Sequence, residues 1–244
     1  MHRFFIPPDW INGDRVVIAG NQARQIKDVL RLKVGDQITV LDNTGLEYQV
    51  GLVDITKGMA TGKVLECRCC PNEPGVEIIL YQAVLKSNKF DFVLQKCTEI
   101  GVAGFVPILC ERCVAGSPSG TRIDRWHQII IEAAEQSMRG KIPLLYPALD
   151  FRQACEDARG FSLLPWEEEG NRGIKTAIID ARDENRLNIF IGPEGGFAGG
   201  EVDFAGSRGI MPVTLGKRIF RAETAGSVAA VAILYERDEL GGQA

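Results

Sequence analysis

Ile189-Phe190-Ile191-Gly192-Pro193-Glu194-Gly195-Gly196-Phe197-Ala198-Gly199-Gly200-Glu201 runs an apolar strand into a glycine-rich loop and then into a helix expected to begin near Gly200. At the carboxyl end of a parallel strand, such a loop is where open α/β sheets place ligands. Glycines let backbone amides come close to a ligand and permit positive φ. The pattern is not that of a nucleotide phosphate loop. No G-x-G-x-x-G can be laid over Gly192, Gly195, Gly196, Gly199 and Gly200, and no G-K-[ST] follows. Glu194 would repel a pyrophosphate and suits a cationic ligand. A glycine turn that serves tight packing alone is the structural alternative.

Outward from this loop the chain alternates between strand and helix. Residues 76–85, 104–109, 161–164 and 188–191 read as strands. Residues 88–100 read as a helix with Phe92, Leu94, Cys97 and Ile100 turned to a core and Gly101 as its stop. Residues 121–138 read as another helix. A final helix over 223–236 carries Ala225, Val228, Ala229, Ala232 and Ile233 on one stripe. This rhythm predicts a mostly parallel α/β sheet covered on both faces.

The first seventy residues follow a different rhythm. Val16-Val17-Ile18, Gln37-Ile38-Thr39-Val40-Leu41 and Tyr48-Gln49-Val50-Gly51-Leu52-Val53 are short strands separated by Gly, Asn and Asp turns, which predicts a small β-barrel or sandwich. One helix interrupts them over residues 21–32, with Asn21 as N-cap candidate and Ile26, Val29 and Leu30 at i, i+3, i+4. Cys70-Pro71-Asn72-Glu73-Pro74-Gly75 suits a linker. Two domains are therefore expected, 1–73 and 74–244.

A second motif lies near the C-terminus: Val213-Thr214-Leu215-Gly216-Lys217-Arg218-Ile219-Phe220-Arg221-Ala222-Glu223-Thr224-Ala225. Lys217, Arg218 and Arg221 form the densest basic patch in the chain. Arginine suits RNA phosphates, or a carbonyl oxygen on which negative charge develops. The small residues that follow permit close approach of a loop, a ligand or another subunit. A solvated basic loop is the alternative.

Composition narrows the field. Lys and Arg number 28 against 32 Asp and Glu, a net charge of -4, so no overall basic field coats nucleic acid, although a local patch still can. No uncharged apolar run approaches the roughly 18 residues of a membrane span. The start, Met1-His2-Arg3-Phe4-Phe5-Ile6-Pro7-Pro8, has no secretory pattern, and 7 cysteines, an odd number, suit a reducing cytoplasm. Cys67, Cys69 and Cys70 with Cys110 and Cys113 lack zinc spacing, so no metal is expected. His127, inside a helix, makes a poor nucleophile partner.

The two motifs together resemble the G-P-E-G-G and L-G-x-R-I-L-R-x-E-T-A signatures of the RsmE-type 16S ribosomal RNA (uracil-N3)-methyltransferases. Phe92-Val93-Leu94-Gln95-Lys96-Cys97-Thr98-Glu99-Ile100-Gly101, Glu111-Arg112-Cys113, Glu132-Ala133-Ala134-Glu135-Gln136-Ser137 and Val29-Leu30-Arg31-Leu32-Lys33-Val34-Gly35-Asp36 match in order, so the likeness covers almost the whole chain. Phe220 stands where Leu is usual, and Gly199-Gly200 replaces a more polar helix start.

The resemblance implies a SPOUT-type α/β domain with a C-terminal trefoil knot, preceded by a PUA-like RNA-binding β-barrel. It implies S-adenosylmethionine as cofactor, 16S ribosomal RNA in the 30S subunit as substrate, a homodimer, and a cytoplasmic protein. The cofactor is expected among Leu163, Leu164 and Pro165, then Ile191, Gly192, Pro193, Glu194, Gly195 and Gly196, then Leu215, Gly216, Arg218, Ile219 and Phe220, with Thr224 and Ala225. Arg221 is expected to steady the uracil oxygens and Glu223 to accept the N3 proton, with helix capping the competing role for Glu223. Arg3, Arg24, Lys27, Arg31 and Lys33 are the expected RNA contacts of the first domain. A nucleotide hydrolase or dehydrogenase, a non-catalytic RNA-binding assembly factor of the same fold, and a SPOUT methyltransferase acting on another RNA base are the competing functions.

Overall fold

In the computed structural model, which describes residues 2–241, the chain divides into two units. One comprises residues up to Glu73 together with Ala134–Ile142, and the other Pro74–Ala133 with the chain from Pro143 onward.

The first unit contains β1 (Arg3–Phe5), a 3-10 turn at Pro8–Trp10, β2 (Ile11–Asn12), β3 (Arg15–Ala19), α1 (Gly20–Arg24), β4 (Gln37–Leu41), β5 (Leu46–Ile55) and β6 (Met59–Cys69). They form one sheet in the order β1-β4-β5-β6-β3-β2, antiparallel except for β1 on β4. Val16 and Ile18 alternate into the core with Ile38, Val40, Val50 and Leu52, as period-two patterning requires.

The helix expected over 21–32 is shorter than that and changes character. α1 widens into a π-helical turn at Gln25–Val29, closed by Leu30 N donating to Gln25 O at 2.9 Å. Arg31 follows at φ 54, which ends the helical path. The wider turn shifts the later residues around the helix axis. Ile26 therefore stays buried, while Val29 is 72% exposed and leaves the expected stripe.

The second unit runs through β7 (Glu77–Ala83), α2 (Lys89–Ile100), β8 (Gly104–Leu109), α3 (Gly120–Gln136), β9 (Leu144–Leu145), β10 (Leu149–Asp150), α4 (Phe151–Asp157), β11 (Phe161–Pro165), α5 (Ile174–Asp180), β12 (Arg186–Ile191), α6 (Gly199–Ser207), β13 (Met211–Val213) and α7 (Ala222–Glu236). The last residues of α3 belong to the first unit. Every pairing is parallel, in the order β10-β8-β7-β12-β11-β13 with β9 on β8. β7 and β12 are central, and both are nearly continuous apolar runs because helices cover both faces. Tyr81 stacks on Phe190 with ring centroids 4.3 Å apart.

Two helix faces differ from expectation. α2 buries Phe90, Val93, Leu94, Cys97 and Thr98, the i, i+3, i+4, i+7, i+8 set. Phe92 lies two residues, about 200°, around from Phe90 and is 45% exposed, and Ile100 is half-buried. α7 packs Ala225, Gly226, Ala229, Ala230, Ile233 and Leu234 inward, against α2, α5, β7 and β12. Val228 and Ala232 are half-buried, and Val231 and Tyr235 are exposed. Among the described residues no helix is long and apolar enough to cross a membrane.

Candidate functional site

The register of three strands brings three loops together. Leu163 of β11 lies opposite both Ile189 of β12 and Met211 of β13, and Pro165 opposite Val213. The chain leaves all three strands at the same edge of the sheet. Thr214 N donates to Arg172 O at 2.8 Å and Ile174 N to Thr214 O at 3.0 Å, which ties the loop after β13 to that after β11. Thr214 Oγ1 then accepts from Gly216 N at 3.1 Å, and Gly216 takes φ 107 to turn the chain.

The loop after β12 is held from below and beside. Gly196 N donates to Pro193 O at 2.9 Å, with Gly196 at φ 68. A Cβ there would meet the carboxylate of Glu167, which can swing aside, so it is the left-handed backbone that disfavours a side chain at this position. Glu201 clamps the start of α6: its Oε2 accepts from Ala198 N and its Oε1 from Glu111 N, each at 2.9 Å. Arg112 Nη1 donates to Gly195 O at 2.9 Å.

Between these loops lies a cavity of about 470 Å³ walled by Pro165, Ile191, Gly192, Pro193, Glu194, Gly196, Ile219, Phe220 and Ala225, together with Lys89, Glu167, Phe197, Arg221, Ala222 and Glu223. A neighbouring cavity of about 420 Å³ takes Leu215, Gly216 and Arg218 into its wall. Most of the expected cofactor residues therefore converge. Four stand elsewhere. Leu163 and Leu164 are fully buried between β12 and β13 and line neither cavity. Gly195 is exposed, with its carbonyl on Arg112, and Thr224 faces a third cavity.

The charges are arranged around Lys89, at the start of α2. Its Nζ lies 3.3 Å from Glu194 Oε1 and 3.5 Å from Glu223 Oε2. Partial burial raises the Glu194 carboxyl, but hydrogen bonds from its own backbone amide and from Lys89 outweigh this and hold it below the ordinary range. Glu223 is 14% exposed in the first turn of α7, and its buried Oε2 accepts no hydrogen bond from the described residues. Arg221, N-cap of α7, is 83% exposed with Nη1 4.0 Å from Glu223 Oε1. Lys89 and Glu167, outside the motifs, and Phe197 and Ala222, within them, line the cavity although none was among the expected site residues. The signal for Lys89 was its place just beyond the carboxyl end of a parallel strand, β7, where ligand loops gather.

Residues 71–234 match the family described as RNA methyltransferase domain, and residues 18–65 that described as RNA methyltransferase PUA domain. The chain is 33% identical to the ribosomal RNA small subunit methyltransferase E of Synechocystis sp. across 95% of its length and 77% of the relative's. The Bacillus subtilis protein of that name is 30% identical, across 92% and 91%. The chain belongs to the ribosomal RNA small subunit methyltransferase E family. The crystal structure of the methyltransferase E from Neisseria gonorrhoeae, bound to S-adenosyl methionine, superposes with a TM-score of 0.87 at 30% identity, covering 96% of this chain and 97% of that one. A methyltransferase from Legionella pneumophila with bound S-adenosylmethionine superposes at 0.85 with 26% identity, covering 96% of each.

The residues present fit the cofactor of those family members. Glu167, Glu194 and Glu223 set three carboxylates against the two cations Lys89 and Arg221 in the first cavity, which favours a positively charged ligand. Trp166 Nε1, on the wall of the second, is a buried donor without a partner among the described residues.

The expected RNA contacts of the first unit separate. Arg24, Lys27, Arg31 and Lys33 are exposed along α1 and the turn after it, beside exposed Val29 and Val34. Arg3 is not on that face. Its side chain, 7% exposed, donates from Nη1 to Glu47 Oε2 at 2.8 Å, and Glu47 is itself buried. A buried carboxylate requires its cation, and that requirement takes Arg3 away from solvent.

Proposed function

We propose that this protein transfers a methyl group from S-adenosylmethionine to N3 of a uridine in the 16S RNA of the small ribosomal subunit. The observation that carries this reading is the convergence of the loops after β11, β12 and β13 on one cavity whose wall also holds Lys89, Arg221 and Glu223, in a member of the methyltransferase E family. Ile191, Gly192, Pro193, Gly196, Ile219, Phe220 and Ala225 would hold the cofactor, with Leu215, Gly216 and Arg218 beside them. When bound, S-adenosylmethionine supplies an electrophilic methyl on a sulfonium.

The chain's own groups then have three tasks. The loops hold donor and acceptor in line, which removes much of the entropic barrier. Arg221, paired with Glu223 alone among the described residues at the mouth of the cavity, faces the negative charge that spreads onto the uracil oxygens as N3 loses its proton. Glu223 is the carboxylate in reach to take that proton, and its place in the first turn of α7 also suits the helix dipole.

Residues 1–73 are read as the RNA-binding domain and 74–244 as the methyltransferase domain. The exposed row Arg24, Lys27, Arg31 and Lys33 supports phosphate contacts that position the substrate without specifying sequence. Exposed Val231 and Tyr235 on α7 support a homodimer formed through that helix. The return of α7 onto central β7 and β12 supports a trefoil knot in the C-terminal segment. A substrate in the ribosome makes the protein cytoplasmic. Methylation of undermodified 30S particles, with the product located by mass spectrometry, tests the activity. N3-methyluridine is expected, and a methyl group on cytosine, ribose or protein overturns the reading.

A further inference from the structure

A third cavity, of about 570 Å³, adjoins the first. Lys89, Arg221 and Glu223 line both, and Ser87, Asn88, Phe92 and Thr224 complete the wall on the far side. A transfer reaction brings two ligands to one shared boundary. With the strand-end loops on one side of these three charged residues, the other side is open to the acceptor. Among the described residues Phe92 is the one aromatic residue of that wall, and α2, which buries Phe90 and Val93 on its other face, leaves its ring 45% exposed there. An exposed ring beside a charged wall suits a base lifted from its stack.

The order of the charged groups is specific. The Glu223 carboxylate stands between two cations, Lys89 Nζ 3.5 Å from its Oε2 and Arg221 Nη1 4.0 Å from its Oε1. Its buried Oε2 accepts no hydrogen bond from the described residues. Lys89 is itself steadied by Glu194 at 3.3 Å. The wall therefore presents donor, acceptor, donor. The pairing edge of uracil presents O2, N3–H and O4, which is acceptor, donor, acceptor. Cytosine presents an acceptor at N3 and an amino donor at N4, so it would oppose its ring nitrogen to a carboxylate and its amino group to a cation. Unpaired and repelling groups of this kind give discrimination that added attraction does not.

We propose that Lys89, Glu223 and Arg221 together form a reader of the uracil edge in this third cavity, with Lys89 a specificity-determining residue and Phe92 the stacking surface. This rests on the uridine reading above, in which Glu223 faces N3. The cations act on the base oxygens, and the carboxylate selects a ring N–H over a bare ring nitrogen.

The test uses the full chain and reconstituted small-subunit particles carrying either uridine or cytidine at the methylated position. Lys89→Met is expected to lower kcat/KM on uridine particles at saturating S-adenosylmethionine by about tenfold or more and to narrow the preference for binding uridine over cytidine particles, with Lys89→Arg recovering most of both losses. Glu223→Gln, whose amide can donate to a bare ring nitrogen, is expected to narrow the wild-type preference for binding uridine over cytidine particles. Phe92→Ala is expected to weaken binding of both particles equally. The proposal is overturned if Lys89→Met or Glu223→Gln leaves the uridine-to-cytidine binding ratio unchanged in a protein that melts like the wild type. Failure of the underlying reading shows separately, as a wild-type product other than N3-methyluridine.

Discussion

Arg112 Nη1 donates to the carbonyl oxygen of Gly195 at 2.9 Å, so the loop after β8 holds the glycine-rich loop after β12 from outside the cavity. The bond crosses from one strand end to another and is repeated one residue away, where Glu111 N donates to Glu201. Gly195 is thereby a point of attachment, and the cavity wall is made by its neighbours Glu194 and Gly196.

Removing that attachment should loosen the cofactor without touching the chemistry. Arg112→Ala is expected to weaken S-adenosylmethionine binding about fivefold, the scale of one exposed charge-assisted hydrogen bond. Turnover at saturating cofactor should stay within about twofold of wild type. Calorimetry against saturated rates checks both. Full affinity in Arg112→Ala would show that the loop holds its shape unaided.

Gly195 and Gly196 should respond differently although they are adjacent. At Gly196 a Cβ meets the carboxylate of Glu167 and the backbone sits at φ 68, whereas at Gly195 the nearest atom, Arg112 Cβ, is 3.4 Å away. Gly196→Ala should cost at least about tenfold in cofactor affinity, from left-handed strain and displacement of Glu167. Gly195→Ala should bind nearly as wild type. Equal losses would contradict the geometry.

Arg221 should matter in the rate and not in cofactor affinity. On the proposed reading the charge it faces develops only as N3 loses its proton, so its loss should lower kcat on the order of a hundredfold. Arg221→Lys keeps the charge but not the planar fork, and should recover part of this. An Arg221→Ala enzyme that binds cofactor poorly yet turns over normally at saturation would make the residue a cofactor clamp.

Arg3 should report on stability. Burial raises the Glu47 carboxyl, and the guanidinium groups of Arg3 and Arg68 overcome this and leave it below its ordinary value. A carboxyl lowered by folding stabilises the protein fully above its unfolded value, near 4, and that contribution is lost as pH falls through the lower folded value. Arg3→Met leaves Glu47 with Arg68 alone and should cost about 2 kcal/mol at neutral pH, below the cost of a fully unpaired buried charge. Acid unfolding should begin at a higher pH. Denaturant melts across pH 3–7 check this, and an unchanged acid limb would remove Arg3 from the argument.

Cys113 should be the early-titrating thiol. A hydrogen bond from Cys110 lowers it to about 7 against the opposing effect of burial, while the same contact pushes Cys110 up. The rate of Cys113 alkylation should rise through pH 7 and level off, as thiolate is the reactive form. Buried Cys97 and Cys155, each raised to about 12, should stay unreacted in the folded protein. Peptide mapping of alkylated protein at several pH values distinguishes them.

Local pattern was enough for much of this protein. The alternation of apolar runs with helical stretches announced a parallel sheet, because strands covered on both faces must be apolar throughout, as β7 and β12 are. The two glycine-bearing motifs lay where strand ends place ligand loops, and they do wall the cavity. The tertiary structure decided which way individual side chains turn. Val29 left its stripe because a π-helical turn rotated it, and Phe92 was set facing outward by the burial of Phe90 and Val93. Leu163 and Leu164 went into the sheet beside two neighbouring strands. Arg3 was withdrawn from the exposed basic row by a buried carboxylate 44 positions along the chain. Lys89 stands between Glu194 and Glu223, each more than a hundred residues away. Periodicity records how a residue is placed along its own helix or strand. The partner that pairs with a charge, or the strand that covers a leucine, is fixed only when distant segments are packed together.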